Sequence, residues 1–125
     1  MTMDELLFFG GRAAALPLYE ALKGRVLAEF PEARIEVKKT QISFFLKHMF
    51  LAVSFTPVRR AAERPDPFLT VTFGLREREM SPRIDAAAEA HPGRWTHHVM
   101  IASPEEADEE LMAWIRRSAA RASGR

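Results

Sequence analysis

Phe68-Leu69-Thr70-Val71-Thr72-Phe73-Gly74 alternates apolar with hydroxyl-bearing residues, and this two-residue period decides the reading of the whole chain. Successive side chains of a strand point to opposite faces, so Leu69, Val71 and Phe73 share a buried row while Thr70 and Thr72 share a wet one. A strand with one apolar row needs a layer to cover that row, and the flanking sequence supplies the other parts.

Upstream, Arg34-Ile35-Glu36-Val37-Lys38 and Gln41-Ile42-Ser43-Phe44 alternate in the same way, but their apolar residues change from odd to even numbers. That change of parity requires a turn or bulge at Lys39-Thr40. Leu51, Val53 and Phe55 form a further apolar row, with Lys47-His48 as the expected turn before it. Downstream, Arg94 to Ile101 places Trp95, His97, Val99 and Ile101 on one side and Thr96, His98 and Met100 on the other.

Helical periodicity marks both ends. Leu18, Leu22, Val26 and Phe30 recur every fourth residue behind Pro17, which predicts a helix over 16–30. Ser103 and Glu106 make a capping box around Pro104, and Ala107, Leu111, Trp114, Ile115 and Ser118 make an inward stripe, which predicts a helix over 104–121. Asp4 to Phe9 reads as a helical turn stopped by Gly10-Gly11. Ser81-Pro82 reads as the start of a short alanine-rich helix that ends before Pro92-Gly93. The expectation is an α+β two-layer sandwich: one mainly antiparallel sheet of four to six strands, with the N- and C-terminal helices on one face.

The 125 residues suit a single domain, with 1–11 as a helical lead-in and 122–125 as a frayed tail. The chain has no cysteine, which excludes disulfides, thiolate metal sites and cysteine nucleophiles. The acidic start and the lack of any long apolar run argue for a cytoplasmic protein without a signal peptide or membrane span. Net charge is +1, too small for a dedicated nucleic-acid binder, although the middle of the chain, 31–101, carries eleven basic against eight acidic residues.

Catalytic signatures are weak. His97 and His98 are adjacent in a strand, so their rings point apart and cannot grip one ion; no metal site and no cofactor are expected. Glu36 and Lys38 match only the Glu-x-Lys half of a metal-dependent nuclease core, and no aspartate stands on a preceding strand. A hydrolytic or nuclease-like enzyme is therefore the alternative reading. The leading expectation is a non-enzymatic binding or accessory module, monomeric or homodimeric. Its ligand, a small polar or anionic molecule or another protein, meets the polar sheet face: Lys38, Gln41, Ser43, Ser54, Thr70, Thr72, Thr96 and His98. Phe45 and Phe50 are the rings expected on that side. A third reading is weak nucleic-acid binding through Arg59, Arg60 and Arg64 of the exposed loop Pro57 to Pro67, together with Lys38 and Lys39.

The strings Lys38-Lys39-Thr40-Gln41-Ile42-Ser43-Phe44, Ser81-Pro82-Arg83-Ile84 and Pro92-Gly93-Arg94-Trp95-Thr96-His97-His98-Val99 stand in order before the helix from Asp108-Glu109-Glu110-Leu111 to Trp114-Ile115. Together they resemble a bacterial family known as domain of unknown function 5655, over Phe8 to about Ala120. The resemblance implies a bacterial accessory module, and no catalytic set. The Trp-containing strand and the acidic-start helix are also similar to the end of MmcQ/YjbR-type domains, small modules with suggested DNA binding.

Overall fold

The computed structural model describes residues 1–124. Six strands form one antiparallel sheet: β1 (Arg34–Val37), β2 (Gln41–Phe45), β3 (Met49–Ser54), β4 (Leu69–Leu75), β5 (Ala86–His91) and β6 (Arg94–Ile101), in spatial order β1-β2-β3-β4-β6-β5. Three α-helices, α1 (Met3–Phe8), α2 (Leu16–Glu29) and α3 (Glu109–Ala122), supply the second layer. Among the described residues no helix is long and apolar enough to cross a membrane.

Pairing brings each apolar row into one continuous face. Val37 lies opposite Ile42, Ile42 opposite Val53, Val53 opposite Val71, and Val71 opposite Val99, an aliphatic line across five strands. Leu22, Val26, Leu111 and Ile115 of the helices are fully buried against this face. Burying one such aliphatic side chain stabilises the fold by about 1.5–3 kcal/mol. Phe73 forms the middle of an aromatic stack, parallel to His97 at 5.4 Å and near-parallel to Trp114 of α3 at 5.6 Å. Trp95, expected in the core, is only half-buried near the sheet margin, with the Arg78 guanidinium 6.0 Å from its ring.

The lead-in is docked through one buried carboxylate. Glu5 caps its own helix with Thr2, accepts the Tyr19 hydroxyl, and takes two hydrogen bonds from Lys23 at 2.7 and 3.0 Å. Burial alone would raise its pKa, but the Lys23 ammonium and the Thr2 and Tyr19 bonds more than offset that, holding it at about 2. At the opposite end Ala122 is buried, so the expected tail at 122–125 begins later; Ser123 and Gly124 are exposed, and Arg125 lies outside the described residues.

The alanine-rich segment is a strand, not a helix. Ala86–His91 is β5, joined to β6 by a turn at Pro92-Gly93, with Gly93 at φ +73°. Alanine prefers helix, but the segment's start is clamped in place. Arg83 bonds Asp108, Glu110 and the Glu106 carbonyl. Asp85 accepts the Met100 amide at 2.9 Å and donates its own amide to the His98 carbonyl. These ties lay the segment along the open edge of β6, and pairing there overrides local propensity.

The helix expected over 104–121 divides into a single 3-10 turn, Pro104–Glu106, and α3, whose N-cap is Asp108; the Ser103–Glu106 capping box belongs to the 3-10 turn. Between β2 and β3 the predicted turn at Lys47-His48 holds, but β3 begins earlier, at Met49, with a bulge opposite Phe44/Phe45. The extra residue turns Phe50 toward the helices, where it is 1% exposed and packs on Phe30 and Phe44, contrary to its expected place on the polar face.

Glu5 sets a pH prediction. Its carboxylate sits below the ordinary 4.5, so the stabilisation is fully present above pH 4.5 and drains away as the pH falls toward about 2. In chemical-denaturant unfolding, wild type should lose about 2–3 kcal/mol more than Glu5→Gln across that interval. Parallel pH profiles for the two proteins would show that the carboxylate does not tie α1 to α2.

Candidate functional site

The polar side of the sheet is not one open surface, because a loop roofs half of it. The connection from β3 to β4 starts at Phe55, and Arg59 within it reaches Asp85, next to β5, with contacts of 2.7 and 3.3 Å. Two strands, β4 and β6, lie between, so the loop crosses their outer ends. Thr70 donates its hydroxyl to the Thr56 carbonyl at 2.7 Å, and the Ser54 hydroxyl accepts the Thr56 amide at 3.2 Å. Ser54, Thr70 and Met100 are consequently buried. Ser54 and Thr70 serve the roof, although both were expected to face a ligand.

Beyond the roof the face stays open. Ser43, Ala52, Thr72, His98 and Ala86 make a row across five strands, with Gly74 and Thr96 paired in a row below. Thr72 and His98 share a hydrogen bond of 2.8 Å between Oγ1 and Nδ1, and burial holds the His98 ring below its usual proton affinity. Gln41 donates to the Ser43 hydroxyl at 2.7 Å and lies over it, so Ser43 is buried while Gln41, Thr72, Thr96 and His98 are partly exposed. Lys38 stands at the end of β1, 3.4 Å from Glu36, well away from this row. Of the eight expected ligand residues the fold gathers three closely: Thr72, Thr96 and His98.

A cation joins them from the other layer. Between β3 and β4 the ladder runs only from Ser54–Thr70 to Ala52–Thr72. Carried on in the same register, Phe50 would face Gly74. There Ser118 of α3 enters the sheet instead, its hydroxyl donating to the Phe50 carbonyl at 2.7 Å and accepting the Gly74 amide at 3.1 Å. The opening admits Arg121, one helical turn further on. Its Nε lies 3.4 Å from the Gly74 carbonyl, and its guanidinium lies over the Gly74 Cα, 2.8 Å from where a Cβ would stand.

Arg121, Arg94, Thr72, Thr96 and Met49 thus line one small recess of about 50 Å³ on the polar side. Burial, and then the charges of Arg94 and Arg76, depress the basicity of Arg121. Among the described residues neither Arg94 nor Arg121 forms an ion pair with a carboxylate. Sequence reading missed both arginines. Arg94 shares the parity of Thr96 and His98 and was recoverable; Arg121 reads as an ordinary cation near a helix C-terminus.

The remaining candidates separate. Arg59 is tied to Asp85 and Arg60 to Glu63, whereas Lys39 and Arg64 line clefts on either side of Arg12. Glu36, on the edge strand β1, is paired with Arg34 and with Lys38 just beyond it. No group of three or more metal-ligating side chains occurs among the described residues.

Comparison with protein families matches residues 6–119 to the family described as Domain of unknown function (DUF5655). The chain belongs to this family. No curated protein and no solved structure matches it. The DUF5655 match takes in all of β1 to β6, Ser118 and every residue lining the recess except Arg121, which lies just beyond it.

The two neighbouring histidines have opposite surroundings in this DUF5655 domain. His97 is fully buried, accepts the Glu79 amide at Nε2 and places Nδ1 3.1 Å from the Trp95 carbonyl, a pattern that fits the neutral ring protonated at Nδ1. Burial lowers its pKa, so the neutral ring's stabilisation is fully present above pH 6.5 and is lost as the pH falls through the depressed value. His97→Ala should cost about 1–3 kcal/mol and His98→Ala less than about 1 kcal/mol. Equal losses in denaturant melts would contradict the assigned faces.

Proposed function

We propose that this domain is a non-catalytic binding module for a small polar anion, held on the open half of the polar sheet face. The observation that carries this reading is the passage of Arg121 from the helix layer through the sheet. A guanidinium delivered beside a second one, without a carboxylate from the described residues to neutralise either, is an arrangement that costs stability unless an anion compensates it. Thr72 and Thr96 add hydroxyl groups to the same recess, and His98 is bonded to Thr72 beside it. Phosphate and carboxylate suit guanidinium groups because their oxygens accept paired N–H bonds.

The recess itself is shallow, so the anionic group of the ligand, rather than its whole body, fits there. The remainder of the ligand then extends over Gln41 and the Thr72–His98 pair. The Thr72 hydroxyl is already engaged with His98, and among the described residues no carboxylate orients that ring in turn, so neither side chain is activated as a nucleophile.

Inorganic phosphate is the simplest probe, followed by amide shifts in NMR titration. Gly74→Ala is the informative variant, because the new methyl would occupy the place of the Arg121 guanidinium while alanine suits a strand better than glycine. Phosphate should move the amides of Thr72, Gly74 and Thr96, and both Gly74→Ala and Arg94→Gln should weaken binding about fivefold or more with the melting temperature nearly unchanged. Shifts scattered over the exposed arginines, unaltered in Gly74→Ala, would overturn the proposal.

A further inference from the structure

At the opposite end of the sheet a second cleft, of about 540 Å³, lies between the segment Gly11–Ala15 and the roof loop. We infer that this cleft is a separate binding site, for a small organic monoanion with a flat apolar body, such as an aromatic carboxylate.

Its chemistry follows from the residues that line it. Arg64 contributes a guanidinium whose Nε is buried and has no hydrogen-bond partner among the described residues. A buried N–H without an acceptor carries its full desolvation penalty, and a ligand oxygen relieves it once the partly exposed Arg64 side chain turns that edge into the cleft. Arg12 stands on the other wall, its guanidinium carbon 4.4 Å from the centre of the Phe55 ring and 5.9 Å from that of Phe68. The stacking restrains Arg12 while leaving its N–H edge for an acceptor. Neither arginine forms an ion pair among the described residues.

The walls define the rest of the ligand. Phe55, Phe68, Pro57, Pro65 and Pro67 present rigid apolar surface, and the fixed φ of each proline means that little order has to be acquired on binding. The volume lies within the range of pockets that enclose ligands of drug size, about 300–1,000 Å³. Asp66 also lines the cleft, so two positive groups face one negative group there. That balance favours a single negative charge over a dianion such as a phosphomonoester. The polar-face recess, near the far ends of β4 and β6, shares no residue with this cleft.

The test uses 2-naphthoate as probe, with the uncharged 2-naphthalenemethanol and acetate as controls, in calorimetric and NMR titrations. Saturable one-to-one binding of 2-naphthoate should shift the amides of Gly11 to Ala15 and of Asp66 and Phe68. The alcohol should bind about tenfold more weakly, acetate weaker still, and Arg64→Gln or Arg12→Gln should each weaken 2-naphthoate about tenfold. Arg12 is exposed, so its variant keeps the test decisive if Arg64→Gln fails to fold. Gly74→Ala and Arg94→Gln should leave 2-naphthoate binding unchanged. The inference fails if the alcohol binds as well as the acid, if both arginine variants retain wild-type affinity, or if the shifts fall on Thr72 and Thr96 instead.

Discussion

The arrangement of this domain depends on one hydroxyl. Ser118 sits where the β3–β4 ladder would continue, donating to the Phe50 carbonyl and accepting the Gly74 amide, so two backbone groups that would bond each other are bonded through a side chain. Both groups are satisfied, and the strands can part without orphaning them. The residue is fully buried, which makes the bridge a constraint on where α3 lies against the sheet. A larger side chain would not fit between the strands, and one without a hydroxyl would leave donor and acceptor unpaired. The same helix then sets Trp114 on Phe73 four residues earlier and sends Arg121 through the gap three residues later.

Parting the strands couples the two sides of the sheet. In a closed two-layer sandwich the helix side is apolar and the other side is wet, and a helix cannot place a residue on the wet side. Here the opening and the lack of a side chain at Gly74 together remove that restriction. The roof loop acts in the other sense at the upper end: by tying Thr56 to Ser54 and Thr70, and Arg59 to Asp85, it withdraws Ser54 and Thr70 from solvent. The polar face is thus divided into a structural half and an open half, and the cations follow that division.

The alternating strands were legible in the sequence because each carries its own two-residue pattern, and one buried row per strand suffices to place the helices on a common face. The change of parity at Lys39-Thr40 was legible for the same reason, and a turn is found there between β1 and β2. Two features were not. β5 is written in alanine and glutamate, whose local preference is helix, and only its ties at Arg83 and Asp85 and the open edge of β6 make it a strand. The polar face was legible as a parity class, but not as a site: parity places Ser54, Thr70 and Thr72 on one side without showing that a loop between them covers the first two. Arg121 lies outside any local pattern, since its place depends on a bridge between residues 118, 50 and 74 that sequence separation conceals.

A consistent energetic logic connects these parts. Charged groups near the core of the fold are matched when they hold elements together: Glu5 with Lys23, Arg83 with Asp108, Arg116 with Glu29 and Glu109. All but Arg116–Glu109, which lies within α3, join segments distant in sequence, and each ion is placed against its opposite. Arg12, Arg64, Arg94 and Arg121 depart from that pattern, for they are positioned by stacking, by burial or by passage through the sheet, and not by a carboxylate of the described chain. Lys39, Lys47 and Arg78 also lack a carboxylate partner among the described residues, so what sets these four apart is their grouping at two recesses at opposite ends of one sheet.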